Sequence, residues 1–202
     1  MNRAVLIVLC GLALAACSPG DAPGTAVDKA LVNAQTVTIM TFNVENLFDT
    51  VNDDGKDDHT YLPRAVKDDP AHIARCGTID VDIWRHDCLE LDWSEDAVAF
   101  KLSQLAKTIL QVNDGYGPDI IALQEVENAG IRTRLSTEYV QPAGYGDAIL
   151  IEGQDLRGMD VAFLSRLPLV APPVLHAFDA SAFPDRADDT RGILEATFEL
   201  PG

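Results

Sequence analysis

The sequence predicts a mixed α/β layered domain. Three observations carry that expectation. Val37 to Asn43 is a β-branched and aromatic run, and Val98, Leu102, Leu105, Ile109 and Val112 recur at helical spacing. Asp119 to Leu123 then supplies the short apolar run expected of a buried strand. Strand, helix and strand, followed by apolar segments punctuated by Gly and Pro, fit neither a helix bundle nor a pure sandwich.

The chain opens with a segment of another kind. Met1-Asn2-Arg3 carries one positive charge, residues 4–16 are apolar or small, and Leu14-Ala15-Ala16-Cys17 follows. This run is too short to span a bilayer, which takes about 20 residues, and has the layout of a secretory signal. Its end resembles the bacterial lipobox, which implies lipidation of Cys17; an ordinary signal peptide with an incidental cysteine is the alternative. Ser18 stands where an aspartate would favour inner-membrane retention, so the expected location is the outer membrane. Residues 17–35 lack apolar periodicity and read as a flexible, lipid-anchored tether. The folded part is expected over 36–202.

Within it, Val37–Asn43 is the first strand, ending at a polar residue. Residues 49–93 are rich in Asp, His, Cys, Pro and Trp and have little sustained period. So long a stretch inside a compact domain is usually functional or stapled, and its place after Asn43 suits control of substrate access. Cys76 and Cys88 fall within it. In an oxidising compartment they suit a disulfide; free thiols, or a zinc set with His72 and His86, remain open. Asn52-Asp53-Asp54-Gly55-Lys56-Asp57-Asp58 invites a calcium-loop reading. With Gly55 at loop position 6, however, Thr50 and Tyr61 take the positions where an EF-hand has Asp and Glu. A solvated acidic turn is the plainer expectation.

Ser94-Glu95-Asp96 is a helix start, and Asn113-Asp114-Gly115 a stop. Strand 119–123 delivers Gln124 and Glu125 at its end. Ile131–Val140 reads as a short helix. Ala148–Ile151, Val161–Leu164, Leu169–Leu175 and Ile193–Leu200 read as strands.

Lys+Arg number 15 against 32 Asp+Glu, a net charge of −17 with no basic block. Non-specific attraction to a phosphate backbone needs a positive footprint, so architectural nucleic-acid binding is excluded as a first expectation. Phosphate would be approached through a bound cation or a few local arginines.

Polar groups at the ends of buried strands can converge on one rim of an open sheet. Asn43 and Glu125 are such groups. A carboxylate there suits Mg²⁺ or Mn²⁺, which take oxygen ligands and keep positions for water or substrate phosphate. Strand-end Asn and Glu also serve as caps, so spacing alone leaves this open. Arg157-Gly158-Met159-Asp160, leading into Val161-Ala162-Phe163-Leu164-Ser165-Arg166, puts guanidinium groups and another acid beside a strand.

Thr41-Phe42-Asn43-Val44-Glu45-Asn46-Leu47 and Ile121-Ala122-Leu123-Gln124-Glu125-Val126 together resemble the endonuclease/exonuclease/phosphatase superfamily, the DNase I-like fold. Asp160 to Pro168 and Arg191 to Ala196 resemble its later strands, in order. The resemblance implies a two-layered α/β sandwich and divalent-metal-dependent hydrolysis of a phosphoester: nucleic acid, phospholipid or small phosphate ester. It implies Glu125 as the metal carboxylate, with Asn43 organising metal and scissile phosphate. Arg166 and Asp160 would be catalytic, and Arg157 and Arg191 would bind substrate; salt bridges to the many acids are the plain alternative for the arginines. The family's later Gly-Asp-x-Asn and Ser-Asp-His motifs are absent from these 202 residues. The resemblance is therefore to the N-terminal part of such a domain, and hydrolysis by this chain is expected to be weak. An exposed inner sheet face, suited to self-association, would follow. A non-catalytic surface lipoprotein acting as a binding or structural module is the alternative.

Overall fold

A computed structural model describes residues 36–146, 148–179, 181, 182, 184 and 190–200. The expected signal peptide, tether and Cys17 lie outside these. The compact unit that holds the site is Thr36–Gly202.

Its main sheet contains β1 (Ile39–Leu47), β2 (Ile120–Val126), β3 (Ile149–Leu150) and β4 (Asp160–Ser165), in the order β1-β2-β4-β3. β1 and β2 are parallel; β4 runs antiparallel to β2 and to β3. A second, two-stranded sheet pairs β5 (Val174–His176) with β6 (Ile193–Glu195). Four helices complete the described fold: α1 (Pro70–Cys76), α2 (Asp82–Glu90), α3 (Glu95–Leu110) and α4 (Ala129–Arg134).

The core follows from two periodicities meeting. α3 turns Val98, Leu102, Leu105, Ala106 and Ile109 to one side. The sheet answers with Val44 and Leu47 of β1, Ile121, Leu123 and Val126 of β2, and Ala162 and Leu164 of β4. On the other face of β1, Ile39, Thr41 and Asn43 are exposed. Phe163 of β4 meets Phe198 edge-on, at 5.9 Å between centroids. β1 is an edge strand of this sheet, and its Ile39 is 68% exposed.

Several elements differ from expectation, among them the expected strand Ile193–Leu200, which spans only Ile193–Glu195. β1 does not end at Asn43 but continues to Leu47 through a register break. The apolar stretch 169–175 contributes only Val174–His176 to the second sheet, with Leu169 in an isolated bridge to Phe198. Residues 49–93 hold two short helices, too brief to show periodicity. α1 starts at Asp69, whose carboxylate caps the N–H groups of Ala71 and His72, with Pro70 in the first turn.

The excursion is fastened at its neck. Phe48 and Tyr61 stack at 4.1 Å, Trp93 meets Tyr61 edge-on at 5.3 Å, and Trp93 Nε1 donates to the Phe48 carbonyl at 3.1 Å. Inside it, Cys76 and Cys88 form a disulfide, which decides between the three options the sequence leaves open. His72 Nε2 lies 3.2 Å from Cys76 Sγ and 2.9 Å from the Cys88 carbonyl. His86 does not join them: it is exposed and lies 3.6 Å from Asp87.

Candidate functional site

The site forms where both ladders of the main sheet break register. Between Asn43↔Gln124 and Leu47↔Val126, β1 advances four residues while β2 advances two. Between Gln124↔Val161 and Val126↔Asp160, β2 carries one residue more than β4. That extra residue is Glu125. Bulges of this kind re-aim a side chain at a sheet's rim. Glu125 stands at φ 67°, and Glu45 and Asn46 opposite it at 54° and 61°. Three non-glycine residues in the left-handed region cost about 1 kcal/mol or more each, and persist only where surrounding bonds hold them.

Those bonds converge on the Glu125 carboxylate. Asn43 Nδ2 donates to its Oε1 at 3.0 Å, and the Asn46 N–H donates to Oε2 at 3.2 Å. Asn43 is fixed in turn, because its Oδ1 accepts the Glu45 N–H at 2.8 Å. Arg191 Nη1 lies 3.5 Å from Oε1. Partial burial pushes the Glu125 pKa up, but the Asn43 amide, Arg191 and the Asn46 N–H outweigh it and hold the carboxyl below its ordinary value. Glu125 is therefore ionised at neutral pH.

A second carboxylate organises the arginines. Asp155 is 1% exposed, and the Arg157 side chain chelates it, Nη2 to Oδ2 at 2.8 Å and Nε to Oδ1 at 3.2 Å. Arg191 Nε lies 3.9 Å from Asp155 Oδ2. Arg191 thus spans Glu125 and Asp155, and Arg157 shares Asp155. The structure brings Asn43, Glu125 and Arg191 together and joins Arg157 to them through Asp155; both arginines make the salt bridges named above as their plain alternative. Sequence reasoning missed Asp155, a loop residue whose role exists only after folding.

Of the two expected catalytic residues, one sits elsewhere and the other is buried at the near end. Arg166 adjoins the opposite end of β4. Ser165 pairs with Ile120, whereas Asp160 pairs with Val126 beside Glu125. Five residues of strand separate those pairs by about 17 Å. The Arg166 guanidinium donates to the carbonyls of Tyr116, Gly117 and Ala143 and to Asp119 Oδ1, and lies over the Tyr145 ring. It closes loops at the far end of the sheet. Asp160 is at the near end but only 3% exposed, with Oδ1 accepting the Gly153 N–H at 2.8 Å. Burial, and then the neighbouring Glu152 carboxyl, push its pKa up to about 7. That bond ties Asp160 to the 153–158 loop, which carries Asp155 and Arg157.

The Asp-rich segment also departs from expectation. It is not a solvated turn throughout, because Asp58 is 1% exposed and Glu127, just past β2, is equally buried. Burial first, and then the carboxylates of Asp49, Asp53 and Asp58, push Glu127 up to about 9 despite the bond from the Asp49 N–H.

A cavity of about 450 Å³ adjoins the rim. It is bounded by Asn46, Phe48, Tyr61, Trp84, Asp87 and Arg157 among others. Half of these belong to the 49–93 excursion, which thereby walls the cavity beside Asn46 and Arg157.

The arrangement can hold a hard cation and an anion side by side. A model of the Endonuclease/Exonuclease/phosphatase family matches residues 88–202, which include Glu125, Asp155, Arg157 and Arg191 but not Asn43. No curated protein and no solved structure matches the chain.

Proposed function

The chain belongs to the endonuclease/exonuclease/phosphatase family, and from that premise we propose that it acts on a phosphoester with a divalent cation held at Glu125. The family membership supports phosphoesterase-type chemistry in general. The observation that carries the finer reading is the Asn43–Glu125 pair at the double register break.

The donor set fits Mg²⁺ or Mn²⁺: an ionised carboxylate and a side-chain amide, oxygen-bearing, at an open rim with room for water and substrate oxygens. Such an ion, when bound, supplies Lewis-acid polarisation of a phosphoryl oxygen and neutralises charge on the leaving oxygen. The chain's residues do the rest by positioning. Asn43 and the Asn46 N–H fix the Glu125 carboxylate before any ligand arrives. Asp155 holds Arg157 and Arg191 as preset guanidinium groups, suited to hold the charge of a phosphoryl group as it develops. Arg191 would exchange its 3.5 Å contact with Glu125 for a substrate oxygen.

The four histidines of the chain do not supply a base here. His72 adjoins the disulfide and the ring of His59, His86 faces Asp87, and His176 bonds Glu195 at 2.7 Å. A positioned base contributes about 10²–10⁴-fold, so hydrolysis by these residues alone is slow. The net charge of −17 favours a small phosphoester or a phospholipid headgroup over tight binding of a nucleic-acid polyanion.

Export and lipid anchoring through Cys17 belong to the same proposal, supported by the signal-like N-terminus and by the Cys76–Cys88 disulfide. Self-association through the exposed face of β1 is supported by the exposure of Ile39.

The experiment is hydrolysis of bis(p-nitrophenyl) phosphate with Mn²⁺, with and without chelator. Slow turnover that needs metal and disappears in Glu125→Ala supports the reading. Turnover that survives Glu125→Ala removes Glu125 from the chemistry.

A further inference from the structure

The 49–93 excursion gathers metal-ligating side chains that take no part in the proposed reaction. His72 and Cys76 are four residues apart on α1, which puts them on one face of that helix. Cys88 comes to them from α2. One ligand atom from each lies within 4.8 Å of the others, and all three residues are buried. His72 Nε2 is 3.2 Å from Cys76 Sγ. In a tetrahedral zinc site, with Zn–N about 2.0 Å and Zn–S about 2.3 Å, such a pair stands about 3.5 Å apart and two thiolates about 3.8 Å. The Cys76–Cys88 disulfide, with its Cα atoms 5.7 Å apart, is the oxidised state of this group.

We propose that reduction of the disulfide turns the group into a zinc site held by His72, Cys76 and Cys88. A dithiol carries out the reduction: its own sulfurs are oxidised to a disulfide, and Cys76 and Cys88 gain two electrons and two protons as thiols. Zinc then displaces both protons and binds the two thiolates. His72 changes role. A carbonyl only accepts, so in the oxidised chain Nε2 carries the proton it donates to the Cys88 carbonyl at 2.9 Å. In the zinc form the imidazole keeps its proton on Nδ1 and gives the Nε2 lone pair to the metal. Three protein ligands with an exchangeable fourth position is a regular zinc arrangement.

The pair of helices has fastenings besides the S–S bond. The buried Lys67, just ahead of α1, donates through Nζ to the carbonyls of Thr60, at 2.8 Å, and of Asp87 in α2, at 3.3 Å. Arg85 Nη1 of α2 donates to the Ile79 carbonyl, in the turn between the helices, at 2.7 Å. The two thiols are thereby kept facing His72. α2 also bears Trp84 and Asp87, which wall the cavity beside Arg157. Zinc would hold that wall in place where a reductant removes the disulfide. The site uses none of the rim residues and does not depend on Glu125 binding a metal.

The test uses the full chain with Cys10→Ser and Cys17→Ser, which leaves Cys76 and Cys88 as its thiols. The chain is reduced with a dithiol, freed of it without air, and titrated with Co²⁺ as a spectroscopic stand-in for zinc. The expected result is one Co²⁺ per chain with thiolate-to-cobalt charge-transfer absorption and the visible bands of a tetrahedral site, displaced by Zn²⁺. The unreduced chain shows none of these bands. Glu125→Gln shows all of them, since a carboxylate site gives no thiolate band. His72→Gln weakens binding by about 100-fold or more, beyond what loss of a supporting group causes. Thermal unfolding needs no change at the site: Zn²⁺ raises the midpoint of the reduced chain by several degrees more than that of the oxidised one. A reduced chain without thiolate bands overturns the site. Equal affinity with and without His72→Gln overturns it as well, by leaving two thiols that take metal without the imidazole.

Discussion

Asn43 Nδ2 donates to Glu125 Oε1 across 3.0 Å, from neighbouring strands whose pairing slips at that point. The bond joins the first strand to the second and aims the carboxylate that the register break of β2 pushes outward. Asn43 is itself held by the Glu45 N–H, so the carboxylate is oriented by the backbone at one remove.

Asn43→Ala should therefore weaken Mn²⁺ binding at Glu125 by about 10–100-fold, the usual loss when a group orienting a metal ligand is removed. Calorimetric titration with Mn²⁺ measures it. Unchanged affinity would mean that Asn46 and the bulge orient Glu125 without help.

Arg166→Ala should separate stability from site. The side chain bonds three carbonyls and Asp119 at the far end of the sheet. Its loss should cost about 2 kcal/mol in urea unfolding while Mn²⁺ affinity stays at the wild-type value. A specific loss of metal or phosphate binding would return Arg166 to the site.

Much of this site was legible and part was misleading, for reasons of geometry. Asn43 and Glu125 could be picked out because each comes at the end of an apolar run, although both lie within their strands, at the register breaks. The stretch from Asp160 to Arg166 misled because closeness along a strand is not closeness in space: its two ends lie about 17 Å apart. Asp155 gave no signal, since a loop aspartate acquires meaning only when Arg157 and Arg191 arrive on either side of it. α1 and α2 are seven and nine residues long, too few turns to show a period, although the Asp69-Pro70 start was available. The burial of Asp58 and Glu127 was invisible because polar runs read as surface until the fold closes over them.

The disulfide should be worth about 2–3 kcal/mol, because it closes a loop across 12 residues. Urea unfolding with and without a dithiol reductant, and of a Cys76→Ser, Cys88→Ser double variant, measures the difference. Coincident curves would show that the helices of the excursion hold without it.

Asp160 makes a pH prediction. Its folded pKa of about 7 lies above the ordinary 3.8, so between those values the folded chain binds more protons than the unfolded one. The contribution of this group is full below about pH 4 and is lost as pH rises through 7. Asp160→Asn should flatten that part of the stability curve and gain relative to wild type at pH 8. Parallel curves for the two proteins from pH 4 to 8 would mean that Asp160 does not take up its proton in this range.

The most direct measurement is Mn²⁺ binding followed by electron paramagnetic resonance. Wild type is expected to show a bound Mn²⁺ whose signal changes on adding inorganic phosphate, and Glu125→Gln to lose it with the fold intact by circular dichroism. Equal Mn²⁺ binding by wild type and Glu125→Gln would contradict the claim that the bulged carboxylate of β2 is the metal ligand.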